Sequence, residues 1–351
     1  MKKIVAFFWG VVEDVEQFFL VWGVRILIVL FIGIIIHNLL KIGDIFSHTD
    51  GEYKNFISID GSEDKQMNVY QIGQGSKTIV ILPGFGSQSP VLQYKAIAKN
   101  LSKNYKVVII EYFGYGFSTE NTKSERSNAN IADEIVKALD GAGISGPYYL
   151  MPHSISKLYA IRLQQKRPDL VAGIISIDGA FPEEIKDQYY KDYYGSMVTN
   201  VNITSIFELT GFERVLSYVR PSTFYIDKMK EMPDVYTSED IKIYRKRIGA
   251  SYLTRTMVKE IDKVIDNMNE LKDYKYPSSL PVLELLSQER VDEYKEAKNN
   301  KGATADLGDL TNHIITNSSI QKVVILEGDH ALQLSNPSEV VHRTNNFLSG
   351  N

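Results

Sequence analysis

The chain has no cysteine. That one absence excludes disulfides, thiolate nucleophiles and cysteine-ligated zinc together, and it suits a domain facing an oxidising exterior without fixing the compartment. A basic surplus is missing too, since 39 Lys and Arg stand against 43 Asp and Glu and the formal net charge is -4. Nucleic-acid binding draws on an excess of positive charge, so no nucleic-acid partner is expected. Internal repeats and low-complexity segments are also missing. What remains is an ordinary globular composition: 351 residues, 44% hydrophobic and 23% charged, supply a large buried core, read as one catalytic domain with an insertion.

One long apolar run stands apart. From Phe18 to Leu40 the chain reads FFLVWGVRILIVLFIGIIIHNLL, about as long as the 20 or so residues a spanning helix needs. A cleaved signal peptide has a shorter apolar core and a small-residue cleavage site, and this run continues into His37, Asn38 and Lys41 with neither. Residues 1–50 are therefore expected to form a single-pass membrane anchor with a juxtamembrane stretch, and residues 51–351 the catalytic domain. Arg25 inside the run would cost a few kcal/mol at the bilayer centre and less if it snorkels to an interface; an amphipathic or buried N-terminal helix is the alternative. Lys2 and Lys3 precede the span, joined by Arg25 if it snorkels to that interface, and Lys41 and Lys54 follow it. That small excess favours a cytoplasmic N-terminus and an extracytoplasmic domain.

Behind the anchor, short Val- and Ile-rich runs alternate with helical periods, the pattern of a mostly parallel sheet covered on both faces. Strands are expected at 54–60 and 67–72 as an opening pair, then at 78–82, 106–111, 147–151, 173–178, 281–286 and 322–326. Ile131, Ile135 and Leu139 mark a crossover helix, with Asn128 or Asn130 as its cap and Gly141 as its stop. Pro337 opens the last helix, where a missing N–H costs nothing. From about 182 to 280 the rhythm changes to charged, Tyr-rich helical segments without strands, read as an inserted cap with both ends on the carboxyl edge of the sheet. Its Phe207, Leu209, Phe212 and Tyr218 are expected to line an acyl pocket.

The sharpest motif is PYYLM-PHSIS-KLYAIRLQQ, a buried strand that turns directly into a helix with Ser154 at the corner. A hydroxyl on such a strained turn projects above the sheet and feels the positive end of the helix. Pro152 and Ser156 take the small positions around it, and Lys157 follows where a further glycine is common. LPGFG at 82–86 comes directly after the third strand. His330 in EGDHALQLSNP lies between the last strand and the last helix, the best placed of the six histidines.

Together TIVILPGFG, EYFGYGFS, PHSIS and EGDHALQLSNP resemble the α/β-hydrolase superfamily over about residues 54–350, and the anchor with PHSIS is similar to uncharacterised hydrolases of low-GC Gram-positive bacteria. The resemblance implies an eight-stranded sheet with helices on both faces, and hydrolysis by a Ser, an acid and a His through an acyl-enzyme. It implies no metal and no organic cofactor. Ser154 would be the nucleophile and His330 the general base, and the amides of Phe85 and Ile155 would form the oxyanion hole. For the acid, Glu289 sits closest to the family's position; Asp292 and Asp178 are the alternatives. The expected substrate is a small-molecule or lipid-like carboxylic ester, with an amide as the variant. Acyl transfer on the same machinery and a non-catalytic binding module are the rival readings.

Overall fold

The computed structural model describes residues 2–45 and 51–350, with the side chains of 2–16, 19, 45, 207 and 209 outside the description. The expected juxtamembrane stretch thus falls largely, at 46–50, outside the described residues, as do the side chains of Phe207 and Leu209.

Helix α1 runs unbroken over Lys2–Ile45, longer at both ends than the apolar run suggested. Its portion Leu20–Asp44 spans 25 residues and is long and apolar enough to cross a membrane, and only 6% of the most apolar window is buried against the protein. At about 1.5 Å per residue that length exceeds the roughly 30 Å of a hydrocarbon core. The guanidinium of Arg25 lies 5.1 Å from the centre of the Trp22 ring.

All eight expected strands are present: β1 Phe56–Ile59, β2 Ser62–Ile72, β3 Thr78–Leu82, β4 Lys106–Glu111, β5 Tyr148–Pro152, β6 Val171–Ile177, β7 Val282–Ser287 and β8 Gln321–Leu326. They form one sheet in the order β1-β2-β4-β3-β5-β6-β7-β8. The β1–β2 and β2–β4 pairs are antiparallel and every other pair is parallel. Alternation along each strand divides the core in two. Ile79, Ile81, Val107 and Ile109 face α2 (Lys95–Leu101), while Val80, Leu82, Val108 and Ile110 face α3 (Asn128–Gly141) and α4 (Ser156–Lys166). Burial of each such side chain contributes roughly 1.5–3 kcal/mol, which is why the strands read as continuous apolar runs. The cap of α3 is Ser127, whose hydroxyl accepts from the Asn130 amide. The expected cap Asn128 is drawn away by tertiary contacts, its amide donating to Asn267 O at 2.8 Å.

Between β6 and β7 come α5 (Gln188–Phe207), α6 (Phe212–Val219), α7 (Ser238–Ser251), α8 (Arg255–Asp262) and α9 (Val264–Leu271); α10 (Gln288–Asn300) follows β7 and α11 (Pro337–Ser349) closes the chain. The insertion leaves at the carboxyl end of β6 but re-enters at the amino end of β7, where Val282 pairs with Ile174. Only its first end therefore lies on the carboxyl edge, as two parallel neighbours require.

Candidate active site

Ser154 has φ +57°, a left-handed conformation that costs a non-glycine residue about 1–2 kcal/mol. The sheet holds it there: the Ser154 amide donates to Ile177 O at 3.2 Å, and the Ala180 amide donates to Ser154 O at 3.0 Å. Two residues on, the Ser156 hydroxyl donates to Pro83 O and accepts from Tyr112 at 3.0 Å, so the first turn of α4 is clasped to the loop after β3. Lys157 is completely buried. Its ammonium lies 2.8 Å from Glu284 of β7 and 3.7 Å from the centre of the Phe181 ring. Gly179 makes the space, since a Cβ there would come within 2.6 Å of Lys157 Cδ.

His330 is tied down three times. Its ring Nδ1 lies 2.6 Å from Asp178 Oδ2, its amide donates to Glu289 Oε2 at 2.9 Å, and its carbonyl accepts from His153 Nε2 at 2.9 Å. The expectation that Glu289 holds the imidazole is thus corrected. Glu289 holds the backbone of His330, and the carboxylate on the ring is Asp178. Asp292 instead accepts from Gln288 at 2.9 Å, on the exposed side of α10. The reason is topological: parallel neighbours bring their carboxyl ends together, so the end of β6 is as close to His330 as the end of β7.

Asp178 is built for charge. It too has a left-handed φ, +44°, and it is completely buried. Its carboxylate accepts from the Ser287 amide at 2.8 Å and the Ser287 hydroxyl at 3.2 Å. Burial alone would raise its pKa, but the Arg290 guanidinium, the His330 ring and the Ser287 amide together hold it down at about 2. Arg290 donates to Asp178 O at 2.7 Å and is itself paired with Glu184 at 2.9 Å. The sequence reading overlooked Arg290; being next to Glu289, it carries no motif of its own.

His153, next to the nucleophile, carries no catalytic signal of its own in the sequence either. A carbonyl only accepts, so Nε2 of His153 carries the proton toward His330 O, and Nδ1 accepts from the Tyr94 hydroxyl at 2.8 Å. That hydroxyl in turn accepts from the Gly84 amide at 3.0 Å. One neutral ring therefore links the LPGFG loop to the His330 loop. Burial, then the His330 ring, lowers the pKa of His153 to about 3.

Phe85, Ser154, Ile155, Asp178 and His330 all line one cavity of about 460 Å³, within the usual range for ligand pockets. A smaller cavity of about 150 Å³ shares Phe85, Ser154 and His330. Among the described residues the amides of Phe85 and Ile155, both residues of the cavity wall, have no intramolecular acceptor. The insertion contributes Tyr189, Tyr190, Tyr193, Tyr194 and Met197 of α5. Phe212 and Tyr218 do not line the cavity: they are 57% and 67% exposed, on the outer side of α6.

Comparison with known proteins gives a consistent picture of the fold. Residues 77–235 match the family described as alpha/beta hydrolase fold. The uncharacterised protein YbdG of Bacillus subtilis is 28% identical over 297 residues, 83% of this chain and 84% of that one. A Petunia hybrida karrikin insensitive 2 receptor is 27% identical over 138 residues, which is 38% of this chain and 48% of the receptor. Among solved structures, a laboratory-evolved potato epoxide hydrolase superposes with a TM-score of 0.63 at 15% identity, over 85% of this chain and 99% of that one. An alpha/beta hydrolase from Nostoc gives 0.56 at 18%, over 84% and 98%.

Proposed function

We propose, from the match of residues 77–235 to the alpha/beta hydrolase fold family, that the chain belongs to the α/β-hydrolase superfamily and is a serine hydrolase that cleaves a carboxylic ester through an acyl-enzyme. Ser154 attacks the carbonyl, His330 takes its proton and returns it to the leaving alcohol, and Asp178 keeps the imidazole in the tautomer that can accept. The amides of Phe85 and Ile155 receive the oxyanion. The observation that carries this reading is the 2.6 Å contact of His330 Nδ1 with a buried, ionised Asp178, in a cavity that also holds Ser154. The epoxide hydrolases among the structural neighbours share the fold, but opening an epoxide through an alkyl ester needs a carboxylate nucleophile, and this elbow carries a hydroxyl. A fluorophosphonate probe tests the proposal. It should attach to Ser154 and be blocked by Ser154→Ala; a folded protein that stays unlabelled would refute it.

The helical insertion acts as a cap, with α5 walling the pocket that selects the acyl or alcohol part. The span Leu20–Asp44 anchors the chain in the membrane, and Lys2 and Lys3 keep its N-terminus in the cytoplasm and the domain outside. Protease protection of the domain in intact cells would contradict that orientation.

A further inference from the structure

We propose that the outer side of the insertion, α6 with the end of α5, sits in the interfacial layer of the bilayer that α1 crosses, an inference that rests on reading α1 as a membrane anchor. Among the described residues, ten large apolar side chains outside α1 are exposed, and six of them are Ile203, Ile206, Phe212, Val215, Tyr218 and Val219. On α6 they recur at i, i+3, i+6 and i+7, one side of a helix, while Glu213 and Ser217 on the opposite side are buried. Val219 is 71% exposed. A concentrated apolar patch of this kind marks an interaction surface.

Its place beside α1 identifies the partner. Gly211, at the start of α6, is pressed against the spanning helix so closely that a Cβ there would lie 2.9 Å from His37 Cβ. Lys41 of α1 pairs with Glu208 at 2.8 Å, and Asp44 pairs with Arg214 of α6 at 2.7 Å. The patch therefore stands at the level of the last turns of the span, where Leu39, Leu40 and Ile42 of α1 are themselves 64%, 48% and 54% exposed. The apolar surface of the anchor and that of the cap meet there. Tyr218 adds the chemistry of an interface, its ring 4.3 Å beneath the Arg245 guanidinium; aromatic rings and long cations gather at the headgroup level, where one end of each is dry and the other wet.

The absence of cysteine from the chain makes the test direct. Full-length Phe212→Cys, Val219→Cys and, as control, Lys103→Cys, an exposed position in the turn before the amino end of β4, are labelled with an environment-sensitive nitrobenzoxadiazole. Each is reconstituted in vesicles of phosphatidylcholine and phosphatidylglycerol, with circular dichroism to certify the fold. Labels at 212 and 219 should emit to the blue and be quenched by lipid-borne nitroxide but not by iodide, and the label at 103 should do the reverse. Labels at 212 and 219 as open to iodide as at 103, in protein that resists carbonate extraction, would overturn the proposal and leave the anchor standing. Protein that carbonate extracts would remove the anchor and the proposal with it. Protection that vanishes when single chains are isolated in nanodiscs would assign the patch to a second copy and also overturn it.

Discussion

His330 is held by two carboxylates through two different groups, and that division assigns their roles. Asp178 meets the ring and Glu289 meets the backbone amide. Asp178→Asn should lower turnover of a short p-nitrophenyl ester by about 10⁴-fold, because the amide fixes the wrong tautomer. Glu289→Gln keeps an acceptor for the His330 amide, so its loss should be small, within about tenfold; equal losses in steady-state assays would contradict the assignment. A second expectation concerns His153. Its pKa of about 3 in the folded chain lies below the ordinary 6.5, so the unfolded chain binds a proton that the folded chain refuses. Stability from this residue is full above pH 6.5 and falls as the pH drops toward 3, by up to about 1.4 kcal/mol per pH unit. Glu111 and Glu183, raised to about 7 by burial, act in the opposite sense over part of that range. The readout is therefore the difference between wild type and His153→Gln in denaturant titrations, which should narrow as the pH falls through that window; a constant difference would contradict it. Ser154 was legible in the sequence because it stands where a buried strand turns directly into a helix, and His330 because it falls between the last strand and the last helix. The acid was not, because its signal, an Asp at the end of ISID, competes with a carboxylate at the end of the next strand, and only the contacts of the His330 ring with Asp178 and of its amide with Glu289 decide between them.

Among elements, the elbow departs most from expectation at Lys157, which takes a position where glycine is common. The fold accommodates it by pairing it with Glu284 under the sheet, with Gly179 giving way and Tyr276 donating to the same carboxylate at 2.7 Å. Lys157→Met leaves Glu284 without its cation and should cost about 3–5 kcal/mol in urea unfolding, most of it recovered when Glu284→Gln is added. Equal stability of the single and double variants would contradict the pairing. This buried ion pair was invisible in the sequence, since 127 residues separate its partners. The strands were legible because burial on both sides of a parallel sheet writes itself as unbroken Val and Ile. The cap's inner wall was not, because the tyrosines from 189 to 194 are as aromatic as Phe212 and Tyr218, and only the helix positions tell the cavity side from the outside. Tyr190→Ala with Met197→Ala should shift the preferred ester chain length, and Phe212→Ala should not, measured as kcat/KM over esters of increasing length; an unchanged profile in the folded double variant would exclude α5 as the selecting wall.

At the scale of the molecule, one sheet aligns the ends of β5 and β6 and the loop after β8 so that a hydroxyl, a carboxylate and an imidazole share a cavity, and an insertion covers it while gripping the last turns of α1. Removing the chemistry without the architecture tests whether that convergence is catalytic. The decisive measurement is the hydrolysis of p-nitrophenyl acetate by the full-length chain and by Ser154→Ala, each certified folded by circular dichroism. The expected result is an initial burst of p-nitrophenol with acetate carried on Ser154, and a loss of about 10⁴-fold or more in the variant. Turnover near the wild-type level in folded Ser154→Ala would contradict it.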